Sequence, residues 1–138
     1  MNHEKSCGAV IYKKDKNDFR YLLVQSMSGV YGFPKGHMEG TETERETALR
    51  EIFEETGLHI TFTEGFRSTE SYMLPDKEDT SKTVVYFLAA FPEQEMCLRE
   101  GEILSAAFYS LSEALPLFSH PGRKRVLTEA DAFLKTHV

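Results

Sequence analysis

The 138-residue chain is 41% hydrophobic, carries a formal net charge of −6 and contains two cysteines. Its length suits one domain over residues 1–138, with enough apolar side chains for a core that needs no disulfide or structural metal. The acidic balance argues against general binding to nucleic-acid backbones, and an anionic substrate would need a divalent cation to offset repulsion.

The first sixteen residues, MNHEKSCGAVIYKKDK, hold an apolar run far too short for a signal sequence or a membrane span. A cytoplasmic protein with no membrane partner is expected. Cys7 and Cys97 form neither a CxxC pair nor a zinc-type spacing and read as reduced, partly buried thiols.

In chain order, Ser6–Tyr12 (SCGAVIY) and Phe19–Ser26 (FRYLLVQS) predict neighbouring strands around a polar turn. The segment MSGVYGFPKGHMEGTE, rich in glycine, predicts a loop. Thr43–Thr56 predicts a helix: Thr41 and Thr43 each precede a Glu at the capping-box spacing, and Gly57 stands where a C-cap glycine belongs. LHITFTEGFRSTESYM predicts a long or bulged strand, and LPDKEDTS a polar loop. Lys82–Phe91 (KTVVYFLAAF) predicts a central strand covered on both faces, and Ile103–Ser110 another strand. SEALPLF predicts a short helix or turn. GRKRVLTEADAFLKTHV closes the chain as an amphipathic helix with Val126, Leu127, Ala130, Phe133 and Leu134 at helical spacing. The order points to an α+β fold, an α/β/α sandwich with a mixed β-sheet between helices.

The segment from Gly36 to Leu58 is crowded with carboxylates: Glu39, Glu42, Glu44, Glu46, Glu51, Glu54 and Glu55. At about 100° per residue, Ala48, Leu49, Ile52, Phe53 and Thr56 fall on one side of the helix, and Glu51, Glu54 and Glu55 cluster on another. Such neighbours repel, and Arg50 is their only basic company. Two readings fit: a solvated acidic face, or oxygen ligands for a hard divalent cation. The Gly-rich loop entering the helix, with Gly32, Pro34, Gly36 and Gly40, favours the second, because it lets backbone approach a ligand closely.

This segment resembles the Nudix box: Gly, five residues, Glu, seven residues, Arg-Glu, an aliphatic residue, any residue, Glu-Glu, any residue, Gly and an aliphatic residue. Gly36, Glu42, Arg50, Glu51, Ile52, Glu54, Glu55, Gly57 and Leu58 fill every defined position of this box over 36–58. The order of the remaining elements is similar too, so the resemblance covers nearly the whole chain.

The resemblance implies a hydrolase that cleaves a nucleoside diphosphate linked to another group, using Mg²⁺ or Mn²⁺ to activate water and clamp the pyrophosphate. By it, Glu51, Glu54 and Glu55 would be metal ligands, one of them a possible general base, with the Lys35 carbonyl as a further ligand. Glu42 would pair with Arg50 and hold the helix register, with Gly36 and Gly57 as structural glycines. A further catalytic acid on a distal loop is offered by Glu100 or Glu102, and the alignment of Phe108–Leu111 with the last strand favours Glu102.

The segments FPKGH, EGF (Glu64 to Phe66), Ser71-Tyr72 and KTVVYFLAAF are similar to those of the asymmetric diadenosine tetraphosphate hydrolases, as are ETALRE and CGAVIY. One departure is Tyr31, where that subgroup usually has Trp. The resemblance implies that Tyr72 and Tyr86 stack on an adenine and that Lys35, His37 and Lys82 meet phosphate oxygens. His3, His59, His120 and His137 form no constellation and read as surface residues.

The implied activity is asymmetric cleavage of diadenosine tetraphosphate to ATP and AMP, by a monomer or homodimer. Alternatives within the enzyme class are a nucleoside triphosphate pyrophosphatase, a diphosphoinositol or RNA 5′-end pyrophosphohydrolase, and a nucleotide-sugar hydrolase. The rival class is a nucleotide-sensing binding module, which is expected to lose box carboxylates that this chain keeps.

Overall fold

Period-two alternation along the strands decides which helix each strand face meets. The computed structural model describes residues 1–137. Its elements are β1 (Asn2–Asp15), β2 (Asp18–Ser26), β3 (Tyr31–Gly32), β4 (Lys35–His37), α1 (Glu44–Thr56), β5 (Ser68–Met73), β6 (Thr80–Ala90), β7 (Ile103–Tyr109), α2 (Leu111–Ala114), a 3₁₀ turn (Leu115–Leu117) and α3 (Pro121–His137). The sheet runs β3-β2-β1-β6-β5, with β4 paired to β1 and β7 to β2. β1 and β6 are parallel, whereas the other pairs are antiparallel, so the sheet is mixed.

On one face, Val10, Tyr21, Val84, Tyr86 and Leu88 pack against Val126, Leu127, Ala130 and Leu134 of α3. On the other, Ala9, Ile11, Leu22, Val85 and Phe87 pack against Ala48 and Ile52 of α1. Strands buried on both faces need apolar residues at consecutive positions, which is why β6 lacks a polar side. The expected sandwich, with a mixed sheet between helices, is the observed architecture.

Several local expectations are corrected. Two-residue Lys16-Asn17 closes the β1–β2 hairpin, so both strands extend past the expected turn. The Gly-rich loop contains β3 and β4, short strands that exist because β2 and β1 supply their partners. LHITFTEGF is not strand; only Phe62 bridges to Ala89, and regular pairing begins at Ser68. Cys97 is exposed, while Cys7 is buried. Val138, expected to end the last helix, lies outside the described residues.

α1 starts and stops as its caps dictate. The Thr43 side chain accepts from the Glu46 amide, the Glu46 side chain accepts in return, and Gly57 closes the helix at φ 76°. The buried stripe, however, is Thr47, Ala48, Glu51, Ile52 and Thr56. Leu49 and Phe53, on the same apolar side as Ala48 and Ile52 by spacing, are 40% and 47% exposed. The helix is rotated so that Glu51 points inward beneath β4.

Candidate active site

β4 brings the loop backbone against α1. A Cβ on Gly36 would lie 1.6 Å from Glu51 Oε2, so only glycine leaves room for that carboxylate. Arg50 organises the acidic side of the helix. Its Nε and Nη2 donate to the two Glu42 oxygens at 2.6 and 3.0 Å, and Nη1 donates to Glu51 Oε1 at 2.7 Å and to Glu54 at 3.3 Å. Nη2 also reaches the His37 carbonyl at 2.9 Å, tying helix to loop. Glu42 accepts further from Thr47 and the Glu39 amide. Hydrogen bonding from Arg50 is the main reason its carboxyl falls to about 2. The expected Glu42–Arg50 pairing is therefore present as a two-pronged fork.

Glu51, Glu55, Glu102, Lys35, His37 and Lys82 line one cavity of about 350 Å³. Burial pushes the Glu55 carboxyl up to about 7, against the opposing charge and amide of Lys35, and burial also raises Glu51. Burial, with Lys82 and Arg123 nearby, brings the Lys35 ammonium down to about 8, and Lys82 is lowered for the same leading reason. Glu100 and Glu102 are both exposed, but only Glu102, from the segment before β7, lines the cavity.

Glu54 stands outside this lining, on Arg50 and, at 3.7 Å, on Arg99. Among the described residues no three His, Cys, Asp or Glu side chains converge as a formed metal-binding cluster. The tight triplet read from helical spacing is spread, since like charges repel and Arg50 bridges Glu51 and Glu54. The donor set still fits a hard divalent cation. Glu51 and Glu55 are carboxylate oxygens desolvated in one cavity, beside a backbone brought close by Gly36.

A second cavity, of about 300 Å³, adjoins the first and shares Lys35 and Glu55 with it. Its distinguishing walls are Tyr31, Phe33, Tyr72, Pro75, His120 and Arg123. Tyr72 and His120 face each other with ring centroids 4.7 Å apart, tilted by 55°. Tyr31 packs edge-on against Tyr109 and accepts a 3.0 Å hydrogen bond from Arg123 through its carbonyl.

Two expectations fail here. Tyr86 has no exposed surface; it packs on Phe33 and donates to Glu70 Oε2 at 2.7 Å, so it cannot stack on a ligand. His120, read as a surface residue, is a half-buried wall of the second cavity.

Arg123 and Glu70 were not singled out from the sequence at all. They form an ion pair of 2.9 Å at 3% and 1% side-chain exposure. Two signals were available: alternation in β5, which puts Ser68, Glu70 and Tyr72 on one face, and helical spacing, which puts Arg123 on the stripe of Val126, Leu127 and Ala130.

The NUDIX domain family model matches residues 2–130. The asymmetrical bis(5′-nucleosyl)-tetraphosphatases of Sus scrofa and Mus musculus are each 33% identical over 142 aligned positions, covering 94% of this chain and 95% of theirs. Among solved structures, a C. elegans Ap4A hydrolase binary complex superposes with a TM-score of 0.87 at 27% identity, covering 96% of this chain and 98% of that one. The E. coli dihydroneopterin triphosphate pyrophosphohydrolase shares the fold, with a TM-score of 0.75 at 19% identity.

Proposed function

The chain belongs to the Nudix family, and from that premise we propose that it is a metal-dependent pyrophosphohydrolase of dinucleoside polyphosphates, cleaving diadenosine tetraphosphate to ATP and AMP. One observation carries the reading: an aromatic cavity adjoins a cavity of carboxylates and lysines, and the two share Lys35 and Glu55. A site that grips one nucleoside and acts on the phosphates beyond it yields unequal halves.

Glu51 and Glu55 would hold Mg²⁺ or Mn²⁺ with the Lys35 carbonyl, and Glu54, now on Arg50, would be the third carboxylate ligand. When bound, such cations neutralise phosphate charge and acidify the attacking water. Glu102, in the same cavity, would serve as the general base. Lys35, Lys82 and His37 contact phosphate oxygens. Tyr72 stacks on the base, and His120 takes the place first expected for Tyr86. No helix among the described residues is long and apolar enough to cross a membrane, and the proposed site of action is the cytoplasm.

The test is a substrate panel with Mg²⁺ and Mn²⁺, products resolved by chromatography. ATP and AMP from diadenosine tetraphosphate are expected. Strong turnover of a single nucleoside triphosphate, with pyrophosphate released and dinucleotides intact, would overturn the substrate assignment. Tyr72→Ala is expected to raise KM by about 5- to 150-fold, the equivalent of a lost stacking contact, with kcat little changed.

Arg50→Lys keeps the charge and loses the fork across Glu42. Turnover is expected to fall by about 10- to 100-fold while the circular dichroism spectrum stays native, because the ligands lose their orientation. Full activity in that variant would remove the positioning role.

A further inference from the structure

Arg123 is 3% exposed, yet it borders the aromatic cavity. Three neighbours fix it there. Nε donates to Glu70 Oε2 at 2.9 Å, Nη1 donates to the Tyr31 carbonyl at 3.0 Å, and the guanidinium carbon lies 6.0 Å from the Tyr72 ring centroid. The Tyr72 hydroxyl stands close enough to feel its charge. These bonds engage Nε and Nη1 and leave Nη2, on a residue that lines the cavity, without a hydrogen bond among the described residues.

Arginine offers donors only and keeps its charge at any working pH. Its partner in this cavity must therefore present acceptors. Phosphate is one class of acceptor, and of the three candidate phosphate groups Lys35 alone also lines this cavity; Lys82 and His37 line the other, which Arg123 does not border. Around Arg123 the walls are Tyr31, Tyr72 and His120, the surroundings of a flat aromatic ligand.

We infer that Arg123 reads the nucleobase held in this cavity and selects a 6-oxopurine, guanine or hypoxanthine, over adenine. The inference rests on the proposed nucleotide substrate. Guanine sets two acceptors, N7 and O6, side by side, the edge that an arginine fork matches. Adenine puts an amino group beside N7, so a donor would meet a donor. Arg123 cannot turn away to relieve that clash, because Glu70 and the Tyr31 carbonyl hold it.

The test compares diguanosine with diadenosine tetraphosphate by kcat/KM, and GTP with ATP by calorimetric Kd. Guanine is expected to win by about 5- to 150-fold on both scales. Inosine nucleotides, which keep N7 and O6, should follow guanosine, and 7-deazaguanosine nucleotides should lose most of the advantage. In the paired variant Arg123→Met with Glu70→Leu, which removes the donors and their buried counter-charge together, the preference should vanish. Equal cleavage of the two dinucleotides with equal binding of GTP and ATP would overturn the base assignment and leave the hydrolase reading intact. Tighter GTP binding with neither dinucleotide cleaved would do the reverse.

Discussion

Glu55→Gln is expected to lower turnover by about 10²–10⁴-fold, because it removes a charged oxygen from the proposed meeting place of cations and reacting phosphate. The same change has a second signature in chelator-treated protein. Burial lifts the Glu55 carboxyl from an ordinary 4.5 to about 7. The folded state thus binds a proton that the unfolded state releases between those values. Stability from this group is present below about 4.5 and is lost as pH rises through about 7. Wild-type protein without metal should therefore lose stability between pH 5.5 and 8 relative to Glu55→Gln, whose amide does not titrate. Thermal melts of both proteins at the two pH values measure the difference. Parallel pH profiles, or wild-type turnover in the variant, would contradict the role given to Glu55.

The second large effect is on stability. Arg123→Met leaves the Glu70 carboxylate at 1% exposure without its cation, and one of its oxygens, Oε1, already lacks a hydrogen-bond partner. Breaking a buried pair from one side costs about 3–5 kcal/mol, chiefly through the uncompensated charge left behind. The expected result is a large fall in the urea midpoint, recovered in good part when Glu70→Leu is added. If Arg123→Met alone unfolds at the wild-type midpoint, the pair contributes nothing to the fold.

What could be read from the sequence divides along physical lines. The α1 caps and the Arg50–Glu42 fork are local, set by side chains within a few turns of one helix, and they are found as expected. The sheet strands of five residues or more were located from alternation or apolar runs, although β5 was placed within a longer stretch. β3 and β4 escaped because strands of two and three residues have no pattern of their own; β2 and β1 create them. The facing of α1 was not legible because apolar spacing groups Leu49 and Phe53 with Ala48 and Ile52, while the space at Gly36 draws Glu51 in instead. Tyr86 lies in the core and His120 in a cavity wall for a similar reason. The choice between core and cavity wall depends on what α3 covers, and α3 lies some fifty residues from β5 (Arg123 and Glu70 are 53 apart).

The parallel pairing of β1 with β6 joins Asn2–Tyr12 to Thr80–Ala90, and His3 meets Ser81 across a separation of 78 residues. Chain order therefore becomes time order during synthesis. A nascent chain has its glutamate-rich helix long before the strand that seats β1, and the wall containing Arg123 emerges later still. With synthesis at about 5–20 residues per second, β1 waits several seconds for its central partner. Contacts of such long range also place refolding of the finished chain in about the millisecond-to-second range rather than the microsecond range of local helical bundles. The carboxylate cavity cannot close before Glu102 is made, nor the aromatic cavity before Arg123, so a molecule held in either cannot template the early steps of folding and can only trap the assembled sheet.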